Sequence, residues 1–180
     1  MVAGGGSAGA EPTLLTSPAV PTDPAGDVTL THISGVELPL DDWLTTFHLG
    51  VVVLDPFEYE SAWLLDTAGR ILDVFREADV RVGFVVTSTP ADAAAFVGPW
   101  ADRLFVLCDP EKAFVKSLQL EQLPAFVHIG IDGTLLGSAE GWDPLEWRAV
   151  ADNLARIMSW KAPDIPEAGD PKPYEGAPAV

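Results

Sequence analysis

The chain has 180 residues, enough for one domain with tails, and its 48% hydrophobic content supplies a core while 21% charged residues is ordinary for a soluble protein. The formal net charge is −17, and residues 26–160 alone hold eight basic against 21 acidic side chains, so the bias belongs to the folded part as well as to the ends. Such a field repels nucleic-acid phosphates and anionic lipid, which argues against nucleic acid as a partner and suits solubility or a basic protein partner.

Residues 1–26 are rich in Gly, Ala, Pro, Ser and Thr, with a linker-like Val2-Ala3-Gly4-Gly5-Gly6-Ser7 and prolines at 12, 18, 21 and 24. They read as a flexible arm, disordered or loosely draped. Residues 27–32 alternate in polarity as an edge strand would, and 36–38 continue it. Residues 40–46 suit a short helix. The unbroken apolar run 49–54 reads as a strand buried on both faces. Residues 60–78 place Leu64, Ala68, Ile71, Leu72 and Phe75 at helical spacing, and 80–87 is again a buried-type strand. Thr89 as N-cap and Pro90 as first residue predict a helix over 91–100, weakened at its end by Gly98-Pro99. Residues 104–108 form a fourth apolar strand, and Asp109-Pro110-Glu111 predicts a helix start by the same device. Segments 125–129 and 134–138 form a hairpin around Asp132-Gly133. Asp143-Pro144-Leu145-Glu146 combines cap, proline and capping-box glutamate. The helix it opens is predicted to run to about Trp160 with Leu145, Ala149, Val150, Leu154 and Ile157 on one face. From Lys161 to Val180 five prolines interleave with Asp164, Glu167, Asp170 and Glu175. This acidic tail is expected to be extended and free, the alternative being that Ile165 and Tyr174, its only sizeable apolar residues, dock it on the domain or on a partner.

Strand and helix alternation predicts an α/β domain over 27–160 with a mostly parallel sheet, and the closing hairpin adds antiparallel strands. Three strings then resemble the thioredoxin-like superfamily, in its peroxiredoxin and TlpA-like branch. They are Leu107-Cys108-Asp109-Pro110-Glu111-Lys112-Ala113-Phe114, Leu123-Pro124-Ala125-Phe126-Val127-His128-Ile129 and Ile131-Asp132-Gly133-Thr134-Leu135. The resemblance implies a thioredoxin-like fold, a central mixed sheet flanked by helices, with an extra strand–helix insertion at 104–118. It also implies a cis peptide at Pro124, with the backbone of Leu123 turned outward to pair with an extended substrate strand.

The likeness stops at the thiols. After the apolar strand the chain runs Asp55-Pro56-Phe57-Glu58-Tyr59-Glu60-Ser61-Ala62-Trp63. In the thioredoxin pattern a cysteine pair would fall near Tyr59 and Ala62. In the peroxiredoxin pattern Pro56 matches the family proline, while Glu60 and Trp63 replace the threonine and the cysteine. Glu58 and Glu60 satisfy the positive helix start but bring no nucleophile. They either stabilise that start or form an acidic patch around an exposed Tyr59. A partner-binding groove is expected from Phe57, Glu58, Tyr59, Glu60, Trp63, Leu123 and Pro124.

The remaining chemistry-bearing residues read mostly as structure. Cys108, the single thiol, excludes an internal disulfide and ends an apolar strand, where cysteine commonly packs as a small hydrophobe. His32, His48 and His128 lack metal-ligand or triad spacing. Asp41-Asp42 and Asp164/Glu167/Asp170 read as solvated acids, not a calcium loop, and Gly4-Gly5-Gly6 lacks the lysine of a phosphate loop. Of the six tryptophans, Trp63 and Trp142 are candidate interface anchors. No metal or cofactor is expected. No apolar run of about 18 residues predicts a membrane helix, no Lys or Arg precedes Arg70 to suggest a secretory signal, and a cytoplasmic protein is the default expectation.

Three functions fit this reading. The leading one is a redox-inactive thioredoxin-like module for protein binding, assembly or accessory work, chaperone-like in character. Residues 137–147 are similar to those of thioredoxin-fold assembly factors without Cys-x-x-Cys that resemble hydrogenase maturation chaperones. The alternatives are a thiol oxidoreductase, peroxidase or redox sensor using Cys108, and an accessory subunit of a larger complex held through its Pro-rich tails.

Overall fold

The computed structural model describes residues 19–180; residues 1–18 of the predicted arm lie outside the described part. The strands are β1 (Thr29–His32), β2 (Glu37–Pro39), β3 (His48–Leu54), β4 (Val80–Val86), β5 (Phe105–Cys108), β6 (Gln122–Leu123), β7 (Ala125–Ile129), β8 (Leu135–Glu140) and β9 (Ala177–Pro178). The helices are α1 (Leu40–Trp43), α2 (Tyr59–Asp73), α3 (Pro90–Val97), α4 (Ala113–Leu118) and α5 (Pro144–Met158). Seven strands form one sheet in the order β2-β1-β5-β4-β3-β7-β8, and β6 pairs separately with β9. β3–β4 and β4–β5 pair in parallel, whereas β3–β7, β7–β8, β5–β1 and β1–β2 pair antiparallel, so the sheet is mixed rather than mostly parallel as the alternation predicts.

The unbroken apolar run of β3 follows from this position. Val52 and Leu54 pack with Leu64, Ile71 and Leu72 of α2, Val97 of α3 and Leu154 of α5 on one face. Leu49, Val51 and Val53 point the other way, into a second core with Leu40 of α1 and with Phe114, Val115 and Leu118 of α4. A strand whose alternate residues enter two separate cores has no solvent side on which a polar residue could sit.

The expected helix starts at Thr89 and Asp143 are present. The Thr89 hydroxyl accepts from the Asp92 amide at 3.3 Å. Asp143 Oδ1 accepts from the amides of Leu145 and Glu146 at 3.0 and 3.4 Å. The Asp132-Gly133 turn is also present, with Gly133 at φ 84°, where a side chain would be strained.

Five further expectations are corrected. β1 is an inner strand, because Gly35 at φ 96° turns the chain back and β2 covers it as the outer one. α2 ends at Asp73 rather than near Ala78, and tight turns from Phe75 to Leu72 and from Ala78 to Phe75 follow it. α4 begins at Ala113, not at Asp109. The buried Asp109 caps it from a distance, with Oδ2 accepting from the amides of Phe114 and Val115 at 3.0 and 3.2 Å, while Lys112 takes the left-handed φ of 56° between them. On α5 the buried face carries Trp147, Val150, Ala151 and Leu154, whereas Leu145 and Ala149 are exposed. The Trp147 indole sets that rotation, since it packs on Phe126 and Trp142 and donates to the Gly141 carbonyl at 2.8 Å.

The fifth correction concerns the C-terminal end. Residues 161–180 are seated on the domain rather than free. Ile165 is 3% exposed and joins the core of α2 and α5. Of the three acids that read as solvated, Glu167 and Asp170 meet Arg70 through their carboxylates, whereas Asp164 stays exposed and meets it only through its backbone carbonyl. Arg70 donates to the Asp164 carbonyl and to Asp170 Oδ2, both at 2.8 Å, and its Nε lies 3.2 Å from Glu167. Asp170 also accepts from the Thr67 hydroxyl. Residues 19–26 lie draped along α4, where the Thr22 amide donates to the Leu118 carbonyl at 2.9 Å. Among the described residues no helix is long and apolar enough to cross a membrane.

Candidate functional site

The groove expected from the sequence has two sides, and the fold brings them together at the end of the sheet where β3 finishes and β7 begins. On the first side Asp55 leaves β3. Its backbone amide donates to the Ser61 hydroxyl at 2.9 Å, and its carboxylate accepts from the Phe57 amide at 3.0 Å. Lys112 Nζ, from the residue just before α4, lies 3.5 Å from that nearly buried carboxylate. These three bonds tie down the loop that precedes α2.

The loop and the start of α2 then display their large side chains outward. Phe57, Tyr59 and Trp63 are 72%, 77% and 59% exposed. Tyr59 and Trp63 stack with ring centres 6.4 Å apart, and Glu58 is exposed beside them. Glu60 is half-buried. This is the start of α2, where the resemblance would put thiols, and an aromatic shelf with an acidic margin stands there instead.

The second side is different. The Leu123–Pro124 peptide is cis, as the resemblance implies, but both residues are buried. The outward backbone of Leu123 is paired with Ala177 of β9, and Gln122 with Pro178. One residue further, the Ala179 amide donates to the Glu121 carbonyl at 2.9 Å. Upstream, Tyr174 exchanges backbone bonds with Trp142 at 2.9 and 3.1 Å. Residues 174–179 therefore run as an extended segment along 121–123 and 142. Tyr174 also reaches the first side: its hydroxyl donates to the Glu60 carbonyl at 2.6 Å and its ring meets Trp63 edge-on at 5.6 Å. Burial and the Glu60 charge raise the pKa of that phenol.

The sequence reading missed Tyr174 and its neighbours as part of this place. The one signal available was the alternation of small residues in Gly176-Ala177-Pro178-Ala179, which suits a strand laid closely against another backbone. Trp142, expected as an exposed anchor, is instead buried against Trp147, and its indole donates to the Pro171 carbonyl at 2.8 Å.

Cys108 does not belong to the groove. It ends β5, paired with Thr31 of β1 and Val86 of β4, and it is 0% exposed. Burial pushes its thiol up to about 11. A thiol held protonated and out of solvent is a poor nucleophile. His48 and His128 form a pair at the opposite end of β3, with Nδ1 to Nε2 at 2.9 Å. Burial, and then the His48 charge, lower His128 to about 4, so this buried ring is neutral at pH 7. Among the described residues no group of three or more His, Cys, Asp or Glu side chains is placed to hold a metal ion.

No protein-family model matches this sequence, nor does any curated protein sequence. Solved structures do match in shape. A hypothetical protein from Sinorhizobium meliloti 1021 superposes with a TM-score of 0.64 at 14% identity, over 91% of this chain and 94% of its own. A thiol:disulfide interchange protein DsbE from Chlorobium tepidum gives 0.62 at 16% identity, over 77% and 97%. A cysteine-to-serine mutant of peroxiredoxin Q from Xanthomonas campestris gives 0.59 at 14% identity, over 79% and 98%. Identities this low speak for architecture alone, and the architecture that this chain shares with the latter two is the thioredoxin-like fold, a mixed sheet between helices with an added strand–helix unit.

Proposed function

We propose that the chain is a protein-binding module of assembly or accessory type, working without thiol chemistry through the shelf at the start of α2. The observation that carries this reading is the exposure of Phe57, Tyr59 and Trp63 together, at the start of α2 behind a loop held by the Asp55 contacts. Clustered exposed aromatics on a rigid support are the usual anchors of protein interfaces. Glu58 at the margin, and the strongly acidic chain behind it, favour a partner segment that is apolar with basic flanks. The buried Cys108 speaks against the thiol-enzyme alternative. The seated residues 161–180 speak against a free tail that threads along a neighbour.

The test is affinity purification of the tagged full chain from its native cells, in parallel with Tyr59→Ala/Trp63→Ala and Glu58→Lys/Glu60→Lys chains. A stoichiometric partner that wild type retains and both variants lose supports the reading. Equal retention by all three chains removes the shelf from the interface. Cys108→Ser should leave binding unchanged, and native wild type should resist an aromatic disulfide reagent at pH 8 until unfolded.

A further inference from the structure

Five of the six indole N–H groups donate within the chain: Trp43 to the Leu30 carbonyl, Trp100 to the Asp66 carboxylate, Trp142 to the Pro171 carbonyl, Trp147 to the Gly141 carbonyl and Trp160 to the Val74 carbonyl. The sixth, on Trp63, has no acceptor among the described residues, and its ring stands in solvent. The two tyrosines divide in the same way. Tyr174 donates to the Glu60 carbonyl, whereas the Tyr59 hydroxyl has no partner among the described residues. Both unspent donors sit on rings of the shelf.

The rings that carry them are ordered with respect to one another. Tyr59 and Trp63, one helical turn apart, hold their planes within 19° of parallel, and Tyr174 stands at 89° to Trp63 as a wall. A ligand that uses this surface fully has to offer apolar faces and unpaired carbonyls together. A helix spends its carbonyls on its own amides. A strand adds to a backbone edge, and residues 55–63 form a turn and a helix start instead. A polyproline II segment meets both demands, since its carbonyls carry no internal hydrogen bond and its pyrrolidine rings are apolar faces fixed in direction. The chain contains one such pairing of its own. The Trp142 indole donates at 2.8 Å to the carbonyl of Pro171, in a string Pro171-Lys172-Pro173 that lies outside helix, strand and turn.

Charge then selects the flanks. Glu58 next to Tyr59 and Glu175 next to Tyr174 are both exposed, and the chain as a whole carries −17, which favours Arg or Lys beside the prolines. The chain's own N-terminal prolines lack that flank, because no Lys or Arg precedes Arg70.

We propose that the shelf binds a proline-rich segment of a partner protein in the polyproline II conformation, with Arg or Lys at its flank. The Trp63 indole and the Tyr59 hydroxyl donate to its carbonyls, and the ring faces cover its prolines. The proposal rests on the protein-binding reading above and names the chemistry of the partner.

The probe is the peptide acetyl-Pro-Pro-Ala-Pro-Pro-Ala-Arg-Arg-amide, titrated into the isotope-labelled full chain while the indole N–H signals are followed by NMR. Trp63→Phe identifies the Trp63 signal by its loss. That signal should move saturably with peptide, and the five bonded indoles should stay in place. Peptides with alanine for every proline, or with Glu for each Arg, should bind at least tenfold more weakly. Trp63→Phe keeps an aromatic face and removes the donor; followed through the backbone amides of residues 57–63, it should lose about tenfold in affinity, and Tyr59→Phe about threefold. Both variants should keep the wild-type urea midpoint, since both rings are mostly solvated. The proposal is overturned by a Trp63 signal that does not move at millimolar peptide, by an all-alanine peptide that binds as tightly, or by Trp63→Phe binding as wild type does. Its failure is separable from that of the shelf. A native partner lost from Tyr59→Ala/Trp63→Ala, beside a silent peptide titration, keeps the shelf as an interface and ends this proposal.

Discussion

The two sides of the proposed groove meet solvent in opposite ways. The Pro56–Trp63 corner leaves three large rings in solvent, while the Leu123–Pro124 edge is covered by the chain's own residues. The difference lies in what each would expose. A solvent-facing ring forgoes about 1.5–3 kcal/mol of burial free energy but offers no template to other chains. A bare strand edge offers a row of unpaired amides and carbonyls to which any extended chain can add. Side-chain anchors can stand open; a backbone edge has to be paired. Tyr174 belongs to both sides, bonded to Glu60 and lying against Trp63 while its backbone pairs with Trp142.

The contrast is broken most forcefully on the covered side. Trp142→Ala removes a fully buried indole that packs on Trp147 and bonds to Pro171. It should cost about 3–5 kcal/mol in urea unfolding, with residues 171–179 losing exchange protection first. A smaller loss, away from both sides, comes from pH. His128 is lowered to about 4 from its ordinary 6.5, so the folded chain keeps the ring neutral where the unfolded chain takes a proton. Stability from this group is complete above pH 6.5 and is lost as pH falls toward 4, by about 3 kcal/mol. His128→Gln should flatten that part of the wild-type curve and leave peptide or partner binding at pH 7 unchanged. The smallest effect is expected on the open side. Tyr59→Ala/Trp63→Ala should change unfolding free energy by about 0.5 kcal/mol or less, since these rings are mostly solvated. The same pair of substitutions should weaken partner binding at least tenfold. If they instead destabilised the fold as much as Trp142→Ala, the shelf would be structure rather than interface.

How far each side was legible follows from the range of the signals. Phe57, Tyr59 and Trp63 were readable as candidates because they stand in an unbroken nine-residue string next to a strand, and helix-start chemistry is local. The helix starts at Thr89 and Asp143 were readable for the same reason. The Asp109 start misled, because the aspartate bonds to amides at 114 and 115 across a turn that Lys112 makes in a left-handed conformation. The α5 face misled because Leu145 fits a helical stripe as well as Trp147 does, and only the space beside Phe126 and Trp142 decides between them.

The tail shows the limit most clearly. Its prolines and acids have the composition of a free, solvated segment. What seats it is a set of partners far away in the chain: Arg70 for Asp164, Glu167 and Asp170, Trp142 for Tyr174, and Leu123 for Ala177. None of these pairings leaves a periodic trace, because each is a single long-range contact rather than a repeating face.

By itself the sequence determined the alternation of strands and helices, the doubly buried β3 and β4, the turn at Gly133 and the absence of thiols from the start of α2, since each is a local pattern of residue types. Tertiary structure alone decided which face α5 buries, where Cys108 lies, and that the edge at Leu123 is already occupied. Those outcomes depend on which distant backbone and side-chain groups the folded sheet leaves in need of a partner.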